Sequence, residues 1–93
     1  MNINKVIKKI DIAIVEIEKA IATYDKFSLF TTINQLNNFK EKLINLRNII
    51  ESGDIPQKTQ RHLGMARVIT DQWPFDNKLG NIIIDAELTY KNA

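Results

Sequence analysis

Apolar residues at the start of the chain recur at steps of three and four, the spacing that places side chains on one face of an α-helix. The pattern predicts a first helix over residues 3–24, with lysines and acids lying off the apolar stripe. Ile12 and Val15 fall roughly opposite the stripe, so they either contact a second neighbour or form a partner surface. The stripe itself consists of Ile3, Val6, Ile7, Ile10, Ile14, Ile17, Ile21 and Tyr24.

The same spacing predicts a second helix over residues 26–52, capped at its start by Asp25 and ended by Gly53. The link between the two helices is short, which predicts an antiparallel hairpin. The predicted core positions are Leu29, Ile33, Leu36, Leu43 and Ile50, with Phe39 and Leu46 on one flank and Phe30 and Ile44 on the other.

A third, shorter helix is predicted to run from about residue 55 to residue 72. Asp54 with Gln57 three residues later resembles a capping box, which marks its start. Gly64 lies inside this helix, where close approach of another helix would explain a glycine. The apolar face carries His62, Met65, Ala66, Ile69 and Trp73, with His62 expected at the edge of the core.

A corner follows at Trp73, because Pro74 disfavours helical geometry in the residue before it. Asp76 is expected to cap a fourth helix, and Phe75 to pack back on its first turn near Leu79. The inward stripe of this helix is Leu79, Ile82, Ile83, Ala86 and Tyr90, while Ile84 and Leu88 share another side.

Together these segments predict one all-α domain over residues 1–93, a compact antiparallel four-helix bundle with two long N-terminal and two shorter C-terminal helices. The 93 residues include 13 basic and 11 acidic ones, a balance too even to indicate nucleic acid binding. Lys5, Lys8 and Lys9 keep a helical-hairpin nucleic-acid binder as a less favoured alternative. No signal peptide or membrane-spanning run is recognisable, so we expect a cytoplasmic protein with no membrane partner.

Motifs for catalysis and metal binding are missing from the sequence. It has no cysteine and one histidine, so a zinc site is not expected. It has no glycine-rich phosphate loop, no G-x-S-x-G elbow and no H-E-x-x-H pair. The acid pairs Glu16/Glu18 and Asp85/Glu87 are two residues apart and point in different directions on a helix. We therefore expect no enzyme activity, no cofactor and no metal.

Acidic and aromatic residues collect at the predicted corner. An exposed tryptophan can anchor a protein interface, and carboxylates beside it would suit a site built for anionic nucleotides. Alternatively, Trp73 and Phe75 are buried in the bundle and the acids only solvate and cap. The candidate partner-binding residues are Arg67, Asp71, Trp73, Phe75 and Asp76 at the corner, with Ile84 and Leu88 of the fourth helix second.

Short motifs along nearly the whole chain resemble a known family. A long Ile-rich helix precedes Q-L-x-x-F-x-x-x-L (Gln35, Leu36, Phe39, Leu43), H-L-G-x-A (His62, Leu63, Gly64, Ala66), an aromatic-acid corner and D-x-x-L (Asp76, Leu79). This order resembles the small all-helical immunity proteins that neutralise type VI secretion effectors of the NAD(P)-glycohydrolase kind. Related immunity proteins serve other nucleotide-targeting toxins and contact-dependent inhibition systems.

The resemblance implies stoichiometric inhibition in the cytoplasm. The protein would bind the C-terminal catalytic domain of a cognate toxin and block its substrate cleft, with no cofactor or chemistry of its own. A structural or adaptor bundle remains open as an alternative, with a homodimer formed through Ile12, Val15, Ile84 and Leu88.

Overall fold

Four α-helices make up most of the computed structural model, which describes residues 2–93. They are α1 (Ile3–Ala22), α2 (Ile33–Ser52), α3 (Met65–Gln72) and α4 (Lys78–Asn92), and no strand occurs among these residues. α1 is flanked by α2 and α4, and α3 packs against α4. The predicted all-α bundle of two long and two shorter helices is confirmed.

Neighbouring helices run antiparallel. Where α1 leads into α2, the Tyr24 hydroxyl donates to the carbonyl of Thr31 at 2.8 Å. Val6, near the start of α1, lines the same groove as the last turns of α4. Ala20, near the end of α1, lines another groove together with Leu79 in the first turn of α4. Both α2 and α4 therefore pack antiparallel against the long α1.

The core is built from the predicted stripes, with additions from small residues. Ile10 and Ile17 of α1 are fully buried, and so is Ala13, which the stripe did not include. Ile12 and Val15 remain 43% and 48% exposed, so they make no close contact with a second neighbour among residues 2–93. The buried apolar residues are Val6, Ile10, Ala13, Ile17, Ala20, Leu36, Phe39, Leu43, Leu46, Ile50, Met65, Ile69, Trp73, Leu79, Ile83, Ala86 and Tyr90.

α2 begins at Ile33 and not at residue 26. Thr32 is its cap, because the Thr32 hydroxyl accepts from the amide of Gln35 at 3.0 Å. Asp25 lies in the preceding 3-10 turn, Tyr24–Lys26, so the prediction that it caps α2 is wrong. Gly53 ends α2 with φ +85°, as predicted. Leu29 precedes α2 and is 97% exposed, and two other predicted core or flank positions, Ile33 (42% exposed) and Ile44 (39%), lie on the outer side of α2.

α3 is shorter than predicted, because Gly64 has φ +81° and cannot continue a helix from residues 54–63. A Cβ on Gly64 would meet nothing within 4 Å, so close helix approach does not explain this glycine. Asp54 and Gln57 form no capping box, since the connection contains only the 3-10 turn Lys58–Gln60. His62 is exposed and precedes α3, so its predicted place at the core edge is also wrong.

Arg61, in the connection between α2 and α3, binds the C-terminal end of α4. The side chain is 8% exposed, and its Nη1 donates to the carbonyls of Tyr90 and Ala93 at 3.1 and 2.9 Å. Its Nε donates to the carbonyl of Pro56 at 2.9 Å. The last carbonyls of a helix have no partner within the helix, and the helix dipole favours a cation there. Arg61 thus caps α4 from a distant part of the chain.

Glu87 of α4 makes the reverse connection to α3. Gly64 precedes α3 without a capping side chain, and one carboxylate oxygen of Glu87 instead accepts from the amides of Met65 at 2.9 Å and Ala66 at 3.1 Å. An anion at a helix N-terminus is favoured by the helix dipole. Glu87 is only 4% exposed, and its position in the sequence gave no sign of this role.

Replacing Glu87 with alanine is expected to lower the free energy of unfolding by about 2 kcal/mol, because the buried amide of Met65 and the partly buried amide of Ala66 lose their acceptor. Urea denaturation followed by circular dichroism measures the change. Glu87→Gln keeps an acceptor oxygen and should cost less. Glu41→Ala, at an exposed glutamate of α2, is the control and should change stability by less than about 0.5 kcal/mol. An unchanged Glu87→Ala protein would contradict the capping role.

Stability is also expected to fall at alkaline pH through Tyr90. Burial raises the pKa of its phenol, while the nearby Arg61 acts in the opposite direction. The pKa of Tyr90 is higher in the folded protein than in the unfolded chain, whose tyrosines have the ordinary pKa of about 10. The stabilisation by the neutral phenol is therefore complete at pH values below about 10 and is lost as the pH rises through the pKa of the folded protein. Urea midpoints measured from neutral to alkaline pH should fall less steeply for Tyr90→Phe. An identical slope in both proteins would refute the assignment to Tyr90.

Candidate functional site

The corner between α3 and α4 carries most of the candidate residues. Trp73 takes an extended backbone before Pro74, as predicted, and the amide of Asn77 donates back to the carbonyl of Pro74 at 3.1 Å. This turn places the start of α4 at Lys78, so Asn77 is the cap: its side-chain oxygen accepts from the amide of Gly80 at 2.8 Å. The prediction that Asp76 caps α4 is wrong, and Asp76 is exposed in the turn.

Trp73 is a core residue that supports the corner from inside. It is 5% exposed and its ring packs edge-on against Phe30, with centroids 5.1 Å apart, and tilted against Phe39 at 6.0 Å. Its indole nitrogen donates to Oε1 of Gln35 at 3.0 Å, and the same oxygen accepts from the hydroxyl of Thr31. The polar atom of the indole is therefore satisfied inside the chain.

Gly80 allows the corner to lie close to α4. A Cβ at this position would be 2.9 Å from Cγ2 of Ile69 and 3.2 Å from Cε3 of Trp73. Contacts this short would force the neighbours apart. The close helix approach that the sequence suggested at Gly64 thus occurs at Gly80.

Phe75 is the aromatic residue that the corner presents to solvent. It is 100% exposed, so the expected packing on Leu79 is wrong. It borders a groove of about 180 Å³, whose walls include Thr70, Asn81 and Ile84. Of the two interpretations left open for the aromatics, burial holds for Trp73 and exposure holds for Phe75.

Two carboxylates lie in the same part of the surface. Asp71, in the last turn of α3, and Asp76 are exposed, and neither forms an ion pair with another residue in the range 2–93. Arg67 is exposed one turn before Asp71. Leu88 is 44% exposed but lines a different groove, which it shares with Val6. The structure therefore brings Phe75 and Ile84 to one groove over Trp73, with exposed Asp71 and Asp76 close to them in the sequence and Leu88 in a different groove.

Other candidate chemistry is sparse. Asp85 binds Lys9 at 2.7 Å, which engages one of the three lysines considered for nucleic acid binding and leaves Lys5 and Lys8. In the described part of the chain, no three histidine or acidic side chains converge on a point where a metal ion could bind. None of the helices described is long and apolar enough to cross a membrane.

Comparison with protein-family models and with curated proteins adds no relative. No protein-family model matches the chain, and no curated protein matches it. The motif residues behind the family resemblance have structural tasks here: Leu36, Phe39 and Leu43 are buried, and Gln35 holds the indole of Trp73. The functional assignment therefore depends on the surface of the corner together with that resemblance.

Gly80→Ala is expected to lower the free energy of unfolding by about 1–3 kcal/mol, because the added methyl overpacks against Ile69 and Trp73. This loss should outweigh the better helix propensity of alanine. Asn81→Ala, at the exposed next position, is the matched control and should be neutral or slightly stabilising. Thermal unfolding followed by tryptophan fluorescence compares the two. A Gly80→Ala protein as stable as the parent would contradict the close contact.

Proposed function

We propose that this protein is an immunity protein, which binds the catalytic domain of a cognate toxin and neutralises it during interbacterial competition. The observation that carries the proposal is the fully exposed Phe75, flanked in the sequence by two exposed carboxylates, Asp71 and Asp76, on a corner held by Trp73 and Asn77. The resemblance of the sequence motifs supplies the toxin class, an NAD(P)-degrading or other nucleotide-targeting enzyme delivered by type VI secretion or by contact. The protein acts stoichiometrically in the cytoplasm, without catalysis or cofactor.

Phe75 supplies the apolar anchor of this interface. Burying a phenylalanine side chain is worth about 1.5–3 kcal/mol, and a residue left completely exposed has all of that gain available for a partner. The backbone that carries Phe75 is held by Trp73 on one side and by the cap of Asn77 on the other. Such preorganisation reduces the entropy lost on binding. Ile84 and the adjoining groove extend the apolar contact.

Asp71 and Asp76 supply the electrostatic part. A cleft that binds an anionic nucleotide carries positive charge, which attracts exposed carboxylates and speeds encounter. Docking of the corner would cover such a cleft and exclude the substrate. Arg67, one turn from Asp71, would contact acidic groups at the edge of the same cleft.

An adaptor or dimerisation module is the second candidate, favoured by the exposure of Ile12 and Val15 on α1. The residues predicted for a homodimer contact do not form one surface, because Ile84 lines the groove beside Phe75 and Leu88 lines a different groove. A contact with another chain through α1 is compatible with toxin binding at the corner.

The double variant Phe75→Ala, Asp76→Lys is expected to weaken binding of the toxin domain at least about 100-fold, because it removes the anchor and reverses a charge. The toxin domain is taken from the neighbouring reading frame, and calorimetry and rescue of growth on co-expression are measured. Thermal stability should not change, since both side chains are exposed. Trp73→Ala is unsuitable as a test because it would open the core.

The matched control is Leu29→Ala, Asp54→Lys, which changes a fully exposed apolar residue and an exposed acid away from the corner. It should leave affinity and growth rescue intact. Equal binding by both double variants would rule out the corner as the docking site. A neighbouring gene whose product is neither toxic nor bound would rule out the immunity function itself.

A further inference from the structure

An open groove of about 320 Å³ lies between α2 and the connection that leads to α3. Leu46, Ile49 and Leu63 contribute apolar surface to its lining, and Arg61 and Tyr90 contribute polar atoms. None of the residues that line it belongs to the corner between α3 and α4. The groove is therefore separate from the proposed docking site for a toxin.

Two residues of this groove are nearly inaccessible, yet each keeps a polar atom without a partner. Arg61 is 8% exposed and Tyr90 is 2% exposed. Three of the five N–H donors of the guanidinium bond to the carbonyls of Pro56, Tyr90 and Ala93. The two donors on Nη2 and the hydroxyl of Tyr90 bond to no group in residues 2–93. No side-chain polar atom sealed from solvent is unpaired in this range, so Nη2 and the hydroxyl reach solvent.

These two unpaired groups are held in place before any ligand arrives. The three bonds to backbone carbonyls fix the guanidinium of Arg61, and its Cζ lies 5.3 Å from the centre of the Tyr90 ring. Tyr90 belongs to the buried core of α4. A ligand that bonds to both groups would therefore lose little entropy in ordering the site.

Basic groups line the groove beside its apolar walls. Arg61 carries one positive charge, and Lys42 carries a second. One donor of the Lys42 ammonium bonds to the carbonyl of Leu63 at 3.1 Å, which leaves the other two N–H groups available. The imidazole of His62 is exposed in the same lining and offers a further hydrogen-bonding group.

Acidic residues do not enter this lining. Glu41 and Asp54 are exposed and close in sequence to residues of the groove, but neither is part of it. Glu87, one turn before Tyr90 on α4, is bonded to the two amides that open α3. An anion in the groove would therefore meet cations and unpaired donors without a carboxylate among the lining residues.

We propose that this groove binds a small amphipathic carboxylate, an aryl or short-chain acid that accepts from Nη2 of Arg61 and from the hydroxyl of Tyr90. Its apolar body lies against Leu46, Ile49 and Leu63. An ionised carboxylate accepts several hydrogen bonds, and its bonds to arginine are among the strong ones in proteins.

The size and the walls of the groove restrict the ligand further. A volume of about 320 Å³ is that of about ten water molecules, which suits a ligand of about ten non-hydrogen atoms and excludes a nucleotide. Apolar walls give no hydrogen bonds to replace the hydration of a compact anion such as inorganic phosphate. They favour an acid that carries an apolar group.

Titration of the isotope-labelled chain with benzoate at constant ionic strength, followed by NMR of the backbone amides, tests the proposal. Benzoate should give saturable shifts centred on residues 42–63 and on the end of α4, with a dissociation constant on the order of 1 mM. Acetate lacks the apolar body, benzamide lacks the charge, and inorganic phosphate lacks both the apolar body and the carboxylate. Each should bind at least about 10-fold more weakly.

Three variants locate the ligand. Ile49→Glu places a carboxylate in the groove and should weaken benzoate binding at least about 10-fold. Tyr90→Phe removes only the unpaired hydroxyl and should weaken binding about 10-fold. Ile44→Glu is the matched control and should leave the affinity unchanged. Ile44 is on the same helix and is 39% exposed, against 38% for Ile49, but it does not line the groove.

Circular dichroism of each variant should show intact helices, because the changed atoms are exposed or unpaired. The absence of saturable shifts up to about 10 mM benzoate overturns the proposal. Equal binding of acetate, benzamide or phosphate also overturns it, as does benzoate binding that Ile49→Glu or Tyr90→Phe leaves unchanged. The toxin is absent from the titration, so the outcome is independent of the immunity function.

Discussion

The contact of Trp73 with α2 determines which side chains the corner between α3 and α4 exposes to solvent. Pro74 removes helical geometry at this position, and the indole fills the space between Phe30 and Phe39 while Gln35 accepts from its nitrogen. With Trp73 held inside, the next three residues of the turn, Pro74, Phe75 and Asp76, lie outside and are exposed. A large buried aromatic with a satisfied polar atom is a stable support for such a surface. Gly80 completes the arrangement by leaving room for the ring against α4.

Reciprocal capping by Arg61 and Glu87 compensates for a short helix and a long connection. α3 has eight residues, too few to be stable by itself, and it follows a glycine that offers no capping side chain. Glu87 supplies the acceptor for α3, and Arg61 supplies donors for the end of α4. Both charges are buried and bonded to backbone groups, the condition under which a small core tolerates them. The connection and the corner are thus anchored to the same helix, α4.

The parts of this fold that depend on periodicity were predictable, and the parts that depend on distant partners were not. The stripes of α1 and α4 and the stop at Gly53 follow from local sequence. Thr32 with Gln35 has the spacing of a capping box and could have indicated the true start of α2. The start of α3 depends on Glu87, more than twenty positions away, and on the positive φ of Gly64. The sequence could not show which aromatic residue of the predicted corner is exposed, because only the tertiary contact with Gln35 separates buried Trp73 from exposed Phe75.

This fold requires the sole tryptophan, Trp73, to be internal while the corner around it faces solvent. Acrylamide quenching of its fluorescence measures this directly in the native protein. We predict weak quenching that rises to the level of the unfolded chain only as urea removes the helical circular dichroism signal, in a single transition. Quenching of the native protein as strong as that of the unfolded chain, with the helices still intact, would contradict it.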